Sequence, residues 1–276
     1  MTRIPRLDLD DGRSIPQLGI GVWQIDGKEV PQVVATAVEL GFRLIDGAFI
    51  YGNEAEMGEG IRRAAVPRAD LFVTSKVWNS EHGYDEARRA VEGSLDRIGV
   101  DALDLVLIHW PCPSRDDYVE TWKALIAARA DGQVGSIGVS NFNADHLDRI
   151  MNETGATPAV NQIEVNPRFQ NAALREANTA RGILTQSWTP LGNAKSFDTP
   201  EIAAIAERTG KSPAQVILRW HIQLGVSVIP RSTSRDHLSQ NIGLFDFELS
   251  EDDMAAIAGL EAGERCGPDP VSFEAQ

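Results

Sequence analysis

The run LDLVLIHW, residues 103–110, sets six apolar side chains around one aspartate and reaches a histidine at its end. It is short for a helix and too uniformly apolar for a strand with one wet face. It therefore reads as a strand covered on both sides, as in a parallel sheet. Seven further runs have the same character: LGIGVW (18–23), FRLID (42–46), LFVTSK (71–76), VGSIGVS (134–140), AVNQIEV (159–165), ILTQSW (183–188) and VSVIP (226–230).

Between these runs the period changes to that of a helix. Ala87, Ala90, Val91, Leu95 and Ile98 mark one face, and Leu147, Ile150 and Met151 another. Val216, Ile217, Trp220 and Leu224 mark a third, behind Ser212 as N-cap and Pro213 at the first helical position. Eight strand-like runs alternate with helix-like ones, without a linker or low-complexity block. The pattern predicts an α/β fold, a (β/α)8 or TIM barrel spanning residues 1–276 as one domain. Asp10-Asp11-Gly12 predicts an N-terminal hairpin turn. A last helix is expected from Ser250, with Asp253 completing a capping box and Met254, Ile257 and Leu260 facing inward. The tail EAGERCGPDPVSFEAQ (261–276) is expected to fold irregularly over the barrel mouth. A doubly wound open sheet would alternate similarly, but its dinucleotide fingerprint is missing: after Gly19-Ile20-Gly21-Val22, Gln24 stands where the third glycine belongs.

Composition narrows the function. No apolar run of about 18 residues suggests a membrane span, and MTRIPRLDLDDG has no apolar signal core. With two cysteines far apart, Cys112 and Cys266, a reduced cytoplasmic setting is expected. The net charge of −14 argues against a nucleic-acid or anionic-membrane surface, so an anionic ligand would need a local cluster of cations.

In such a barrel, chemistry sits at the C-terminal strand ends. Those positions carry Asp46 with nearby Tyr51, Lys76, His109, Ser140 with Asn141, Gln162, Trp188, and Arg231 with Ser232. Each has an ordinary reading alone, as a cap, a solvated stem or a packed ring. Converging on one rim, they would be costly to bury for packing only. Beside an ammonium a tyrosine becomes a better acid, so Lys76 is expected to lower the pKa of Tyr51 while Asp46 keeps Lys76 charged. A neutral His109 could position a carbonyl oxygen. No Ser-His pair is evident, Cys112 has no matching base, and the five histidines lack metal-ligand spacing, so no metal is expected. A proton donor without nucleophile or metal suggests hydride addition from a cofactor.

On these residues the chain resembles the aldo-keto reductases over essentially its full length. The matching stretches are IDGAFIYGNE (45–54), LFVTSKVWN (71–79), LDLVLIHWP (103–111), GQVGSIGVSNF (132–142), AVNQIEVNP (159–167), QSWTPLG (186–192) and VIPRSTSRDHLSQNIGLFDFEL (228–249). The likeness is strongest to the bacterial branch that includes 2,5-diketo-D-gluconate reductases. The resemblance implies a monomer that reduces carbonyl compounds with NADPH. It makes Tyr51 the proton donor of a tetrad with Asp46, Lys76 and His109. It implies nicotinamide contacts from Ser140, Asn141 and Gln162, with Trp188 stacked on the ring. Leu191 and Gly192 would cover the pyrophosphate, Arg231, Ser232 and Thr233 would grip the 2′-phosphate, and Asn241 would meet the adenine. Trp23, Phe49, Trp78 and Trp110 would wall the substrate pocket. Small polar aldehydes and α-dicarbonyls, with 2,5-diketo-D-gluconate among them, are the expected substrates.

Three departures from the family pattern stand out. Gly47 replaces the usual threonine, which is expected to loosen the loop carrying Tyr51. Arg231 replaces a lysine. His237 stands at the usual arginine of the 2′-phosphate site, so NADH is expected to be usable beside NADPH. Two rival readings are a Schiff-base aldolase through Lys76 and a non-catalytic, redox-sensing binding module.

Overall fold

The computed structural model describes residues 4–275; the first three residues of the N-terminal segment and Gln276 of the tail lie outside it. The chain opens with an antiparallel hairpin, β1 (Arg6–Asp8) and β2 (Ser14–Pro16), turning at Gly12 with φ 82°. Eight parallel strands follow: β3 (Ile20–Gly21), β4 (Leu44–Asp46), β5 (Phe72–Val77), β6 (Leu103–Ile108), β7 (Val134–Ser140), β8 (Val160–Glu164), β9 (Leu184–Trp188) and β10 (Ser227–Val228). They lie side by side in chain order. Leu18, ahead of β3, bridges to Val228 in parallel, and Gly19 N donates to Val228 O at 2.8 Å, so first and last strands meet and the barrel closes.

Between and after the strands run α1 (Val30–Leu40), α2 (Glu54–Arg63), α3 (Tyr84–Ile98), α4 (Tyr118–Ala130), α5 (Ala144–Thr154), α6 (Ala172–Ala180), α7 (Pro200–Thr209), α8 (Pro213–Gln223), α9 (Arg235–Ile242) and α10 (Glu251–Ala258). Their apolar stripes cover the outer faces of the strands: Ala87, Ala90, Val91 and Ile98 of α3 and Leu147 and Ile150 of α5 are buried in that layer. Helix starts follow capping chemistry. Ser212 and Gln215 form a capping box ahead of Pro213, and Ser250 and Asp253 form another. No helix among the described residues is long and apolar enough to cross a membrane.

The barrel interior is a second apolar layer. Leu9 and Ile15 of the hairpin region pack with Leu44, Phe72, Leu105 and Leu107, so the hairpin plugs the end where the strands begin. The opposite end stays open to side chains from the strand ends. Six residues other than glycine adopt positive φ there: Gln24 (54°), Cys112 (44°), Asn141 (63°), Thr189 (47°), Asn193 (53°) and Ala194 (63°). Such backbone is disfavoured, most of all for a β-branched residue, and it concentrates at functional sites. The strain marks the mouth.

Candidate active site

Asp46 ends β4, Lys76 lies near the end of β5, and His109 follows β6 directly. Tyr51 comes from the single 3-10 turn Phe49–Tyr51 that links β4 to α2. Lys76 Nζ donates to Asp46 Oδ1 (2.5 Å), Gly47 O (2.9 Å) and the Tyr51 hydroxyl (3.2 Å). An ammonium has three hydrogens, and all three are committed. The ring of His109 stands edge-on to that of Tyr51, 5.8 Å between centroids, and to that of Trp78, 5.0 Å.

Burial and charge set the protonation states. Burial works against the Lys76 ammonium, yet the Asp46 carboxylate and then Tyr51 outweigh it, and its pKa rises above the ordinary value. A Schiff-base lysine needs a neutral amine, so this environment opposes aldolase chemistry. Burial, then the charge on Lys76, then His82 hold His109 well below the ordinary imidazole range, leaving it neutral. Tyr51 departs from the expectation. Burial pushes its phenol above the ordinary value, Lys76 pulls it down, and Asp46 raises it again. The net shift is upward because desolvation of a phenolate exceeds the pull of one neighbouring cation whose charge Asp46 largely cancels. Tyr51 thus keeps its proton at neutral pH, and Lys76 limits the cost of losing it.

These residues open onto a cavity of about 700 Å³. Asp46, Tyr51, His109, Ser140, Asn141, Gln162 and Trp188 line one part of it, and the loop from Thr189 to Ala194 continues it towards Arg231. Trp23, Trp78 and Trp110 line its walls. Phe49 does not line it. Successive residues of a 3-10 turn point about 120° apart. Tyr51 and Ile50 reach the cavity, whereas the Phe49 ring lies 4.6 Å under the Arg97 guanidinium.

The tail closes the mouth in two places. Glu164, a carboxylate at the end of β8 and 1% exposed, accepts the backbone N–H groups of Cys266 (2.6 Å) and Gly267 (3.0 Å). Farther along, Phe273 packs 4.4 Å from Trp110 and 6.3 Å from Trp78, and Ala275 O accepts from Asn79.

The sequence profile of the aldo/keto reductase family matches residues 17–262. The chain belongs to that family. This makes it an NAD(P)H-dependent oxidoreductase. It is 49% identical over 269 residues to an aldo-keto reductase of Mycolicibacterium smegmatis, covering 98% of each chain. It is 43% identical to the methylglyoxal reductase DkgA of Escherichia coli, covering 97% of each. Among solved structures it is similar to a Gox0644 mutant in complex with NADPH, with a TM-score of 0.95, 44% identity and 99% of each chain covered.

In this reductase the residues expected to hold the cofactor fall into two groups. Ser140, Asn141, Gln162, Trp188, Leu191 and Arg231 line the cavity. Gly192, Ser232, Thr233, His237 and Asn241 are not among its lining residues. Asn141 is occupied otherwise: its Nδ2 donates to His109 O and to Ser140 Oγ, and its Oδ1 accepts from Trp188 Nε1 at 2.9 Å. Arg231 Nη1 rests on the carbonyl and side-chain oxygens of Gln24 at 3.2 Å. Ser232 Oγ bonds within its own turn, donating to Ser234 O and accepting from Ser234 N.

Gly47 leaves no gap. A Cβ there would lie 2.7 Å from Met57 Sδ, so Met57 fills the space that a side chain at this position would take. A Ser-His contact does exist, Ser187 Oγ to His221 Nε2 at 3.3 Å, but both side chains are fully buried and Ser187 Oγ donates to Val165 O at 2.8 Å. It is a packing contact. Burial pushes the Cys112 thiol up to about 11, which keeps it from acting as a nucleophile. Sequence reading missed Gln24, Ile50, Cys266, Gly267, Pro268 and Phe273, all at the cavity. Glu164, an acid inside an apolar strand, was the one visible hint of the tail latch.

Proposed function

We propose that the protein reduces small polar aldehydes and α-dicarbonyls with NADPH, with Tyr51 as general acid. The observation that carries this reading is the Tyr51 hydroxyl 3.2 Å from a charged Lys76, beside a neutral His109 at the cavity wall. The cavity suits a dinucleotide. Trp188 offers an aromatic plate, Ser140 and Gln162 offer polar atoms near it, and the groove runs along residues 189–194 to the cation of Arg231. Its volume lies within the usual range of roughly 300–1,000 Å³ for ligand sites.

When bound, NADPH supplies the hydride for the carbonyl carbon. His109 offers an uncharged N–H to the carbonyl oxygen, which orients the substrate without a competing charge. Tyr51 gives its proton to the oxygen as negative charge develops, and Lys76 stabilises the phenolate left behind. Asp46 keeps Lys76 charged and aimed. The walls of Trp23, Ile50, Trp78, Trp110 and Phe273 favour compact substrates, and a methylglyoxal reductase among the relatives supports the α-dicarbonyl class.

The test is NADPH oxidation with methylglyoxal, phenylglyoxal, 2,5-diketo-D-gluconate and a steroid ketone. The dicarbonyls should give the higher kcat/KM. Steroid turnover more efficient than either glyoxal would overturn the substrate class.

A further inference from the structure

We propose that Gln186 is a positioning residue for the proton transfer, acting through Gln162 on the far oxygen of Asp46. The inference rests on the reading of Tyr51 as the acid. Gln162 pairs in register with Gln186, and Gln186 with Ser227, on neighbouring parallel strands, so the three side chains share one face at one level of the barrel. Gln162 Nε2 donates to Asp46 Oδ2 (2.8 Å) and to Gln186 Oε1 (2.7 Å). Gln186 Nε2 donates to Ser227 Oγ (3.2 Å), and Ser227 Oγ donates to Pro16 O (3.2 Å). Gln162, Gln186 and Ser227 are all buried.

The chain has only one polarity. Pro16 O and the Asp46 carboxylate can only accept, so the Ser227 hydroxyl must donate downward and offer a lone pair to Gln186. Gln186 must then present its carbonyl to Gln162. That carbonyl and the carboxylate together claim both amide hydrogens of Gln162. The terminal torsion of a glutamine or aspartate is broad and nearly two-fold, so without such partners neither group has a fixed orientation. With them, Asp46 is held at both oxygens: Oδ1 by Lys76, Oδ2 by Gln162. Turning the carboxylate would move the Lys76 ammonium relative to Tyr51. Gln186 does not line the cavity, so its effect cannot come from touching substrate or cofactor.

Gln186→Met keeps the length and removes the acceptor. Its single-turnover rate of reduction should fall about two- to tenfold, the worth of one net hydrogen bond, and the solvent deuterium isotope effect on that step should grow. NADPH affinity should shift by less than the rate, since Gln162, the proposed nicotinamide contact, keeps its bond to Asp46 Oδ2, and the substrate KM should stay at the wild-type value. Gln186→Glu should recover most of the rate, because a fully buried carboxyl stays protonated and its carbonyl still accepts from Gln162. A methionine variant that binds NADPH and shows the wild-type rate and isotope effect overturns the inference, as does a glutamate variant no better than the methionine one. If Gln186→Met cannot bind NADPH, Ser227→Ala decides: a slower step with a larger isotope effect supports the inference, and wild-type values overturn it. Tyr51→Phe in the same assay separates the two claims. An active phenylalanine variant would remove the acid assignment itself, whereas an inactive one beside a normal Gln186→Met would remove only the role of Gln186.

Discussion

Lys76 donates its hydrogen bond to Tyr51 and does not receive one: its Nζ lies 3.2 Å from the phenol oxygen, and its other two hydrogens rest on Asp46 and Gly47. The phenol hydrogen is therefore free to face the cavity, where a substrate oxygen would arrive. Tyr51→Phe removes the hydroxyl, and with it both that hydrogen and the acceptor for the third hydrogen of Lys76. Its kcat should drop by at least the roughly 10²–10⁴-fold worth of general acid catalysis, with NADPH binding nearly intact in a fluorescence titration. A variant retaining more than a tenth of the wild-type kcat would contradict the assignment.

Lys76→Met tests the other half of the same contact. The substitution removes the one group that pulls the Tyr51 phenol down and leaves burial and Asp46, which both push it up. It also strands a buried carboxylate, at a cost of about 3–5 kcal/mol of stability. The expected result is a kcat loss comparable to that of Tyr51→Phe, together with a lowered denaturation midpoint. Wild-type pH dependence of kcat in a folded variant would speak against the role given to Lys76.

The tail makes a separate prediction. A Cβ at Gly267 would lie 2.4 Å from Cη2 of Trp188, while Glu164 holds the backbone of Cys266 and Gly267 in place. Gly267→Ala must displace either the indole or the latch, with strain on the order of 1–3 kcal/mol. NADPH affinity should weaken several-fold, since the indole is the plate proposed for the nicotinamide. An unchanged dissociation constant would mean that the tail does not place Trp188 against the cofactor.

What could be read from the sequence was whatever a single strand carries. Asp46, Lys76 and His109 each close an apolar run, so a barrel assignment alone brings them to one rim. Tyr51 follows from being five residues beyond Asp46. What could not be read depends on rotation or register between distant strands. Phe49 and Ile50 are neighbours, yet a 3-10 turn sends only Ile50 to the cavity. The pairing of Gln162 with Asp46 joins residues 116 apart, and that of Glu164 with Cys266 joins residues 102 apart. The upward shift of the Tyr51 phenol needed the burial itself, which no spacing reports.

Acid should destabilise the protein through buried neutral histidines. Burial holds His82 and His221 at about 4 each, and His109 is also lowered. For a base whose folded pKa is depressed, the unfolded chain binds more protons between the two values, so stability rises with pH in that window. It is complete above the unfolded value of about 6.5 and falls as pH drops towards 4. His82 alone should then account for a loss on the order of 3 kcal/mol near pH 4. Neither of its ring nitrogens has a hydrogen-bond partner among the described residues, so His82→Leu forfeits no bond. That variant should unfold at higher denaturant than wild type at pH 5 and differ little at pH 7.5. Parallel stability curves for the two proteins across this range would show that His82 does not titrate on unfolding.

The last prediction concerns cofactor choice, where charge is scarce. Arg231 reaches the cavity, whereas Arg235 is held by both oxygens of Glu39 at 2.9 and 2.8 Å. His237 is exposed in the first turn of α9, where its backbone N–H donates to Ser234 Oγ. An arginine there would add a permanent charge and a fork for the 2′-phosphate. A charge-assisted hydrogen bond is worth roughly 1.5–3 kcal/mol against about 0.5–1.5 for a neutral one, a difference near one kcal/mol. NADPH should therefore be preferred over NADH, but with NADH usable. His237→Arg should raise the preference by about tenfold, a little over one kcal/mol. Arg235→Met should leave it unchanged, because that guanidinium is already spent on Glu39. The deciding measurement is the dissociation constant of each cofactor for the three proteins at one ionic strength. If the arginine variant gains nothing while Arg235→Met loses NADPH affinity, the 2′-phosphate lies at Arg235 and the two residues must exchange roles.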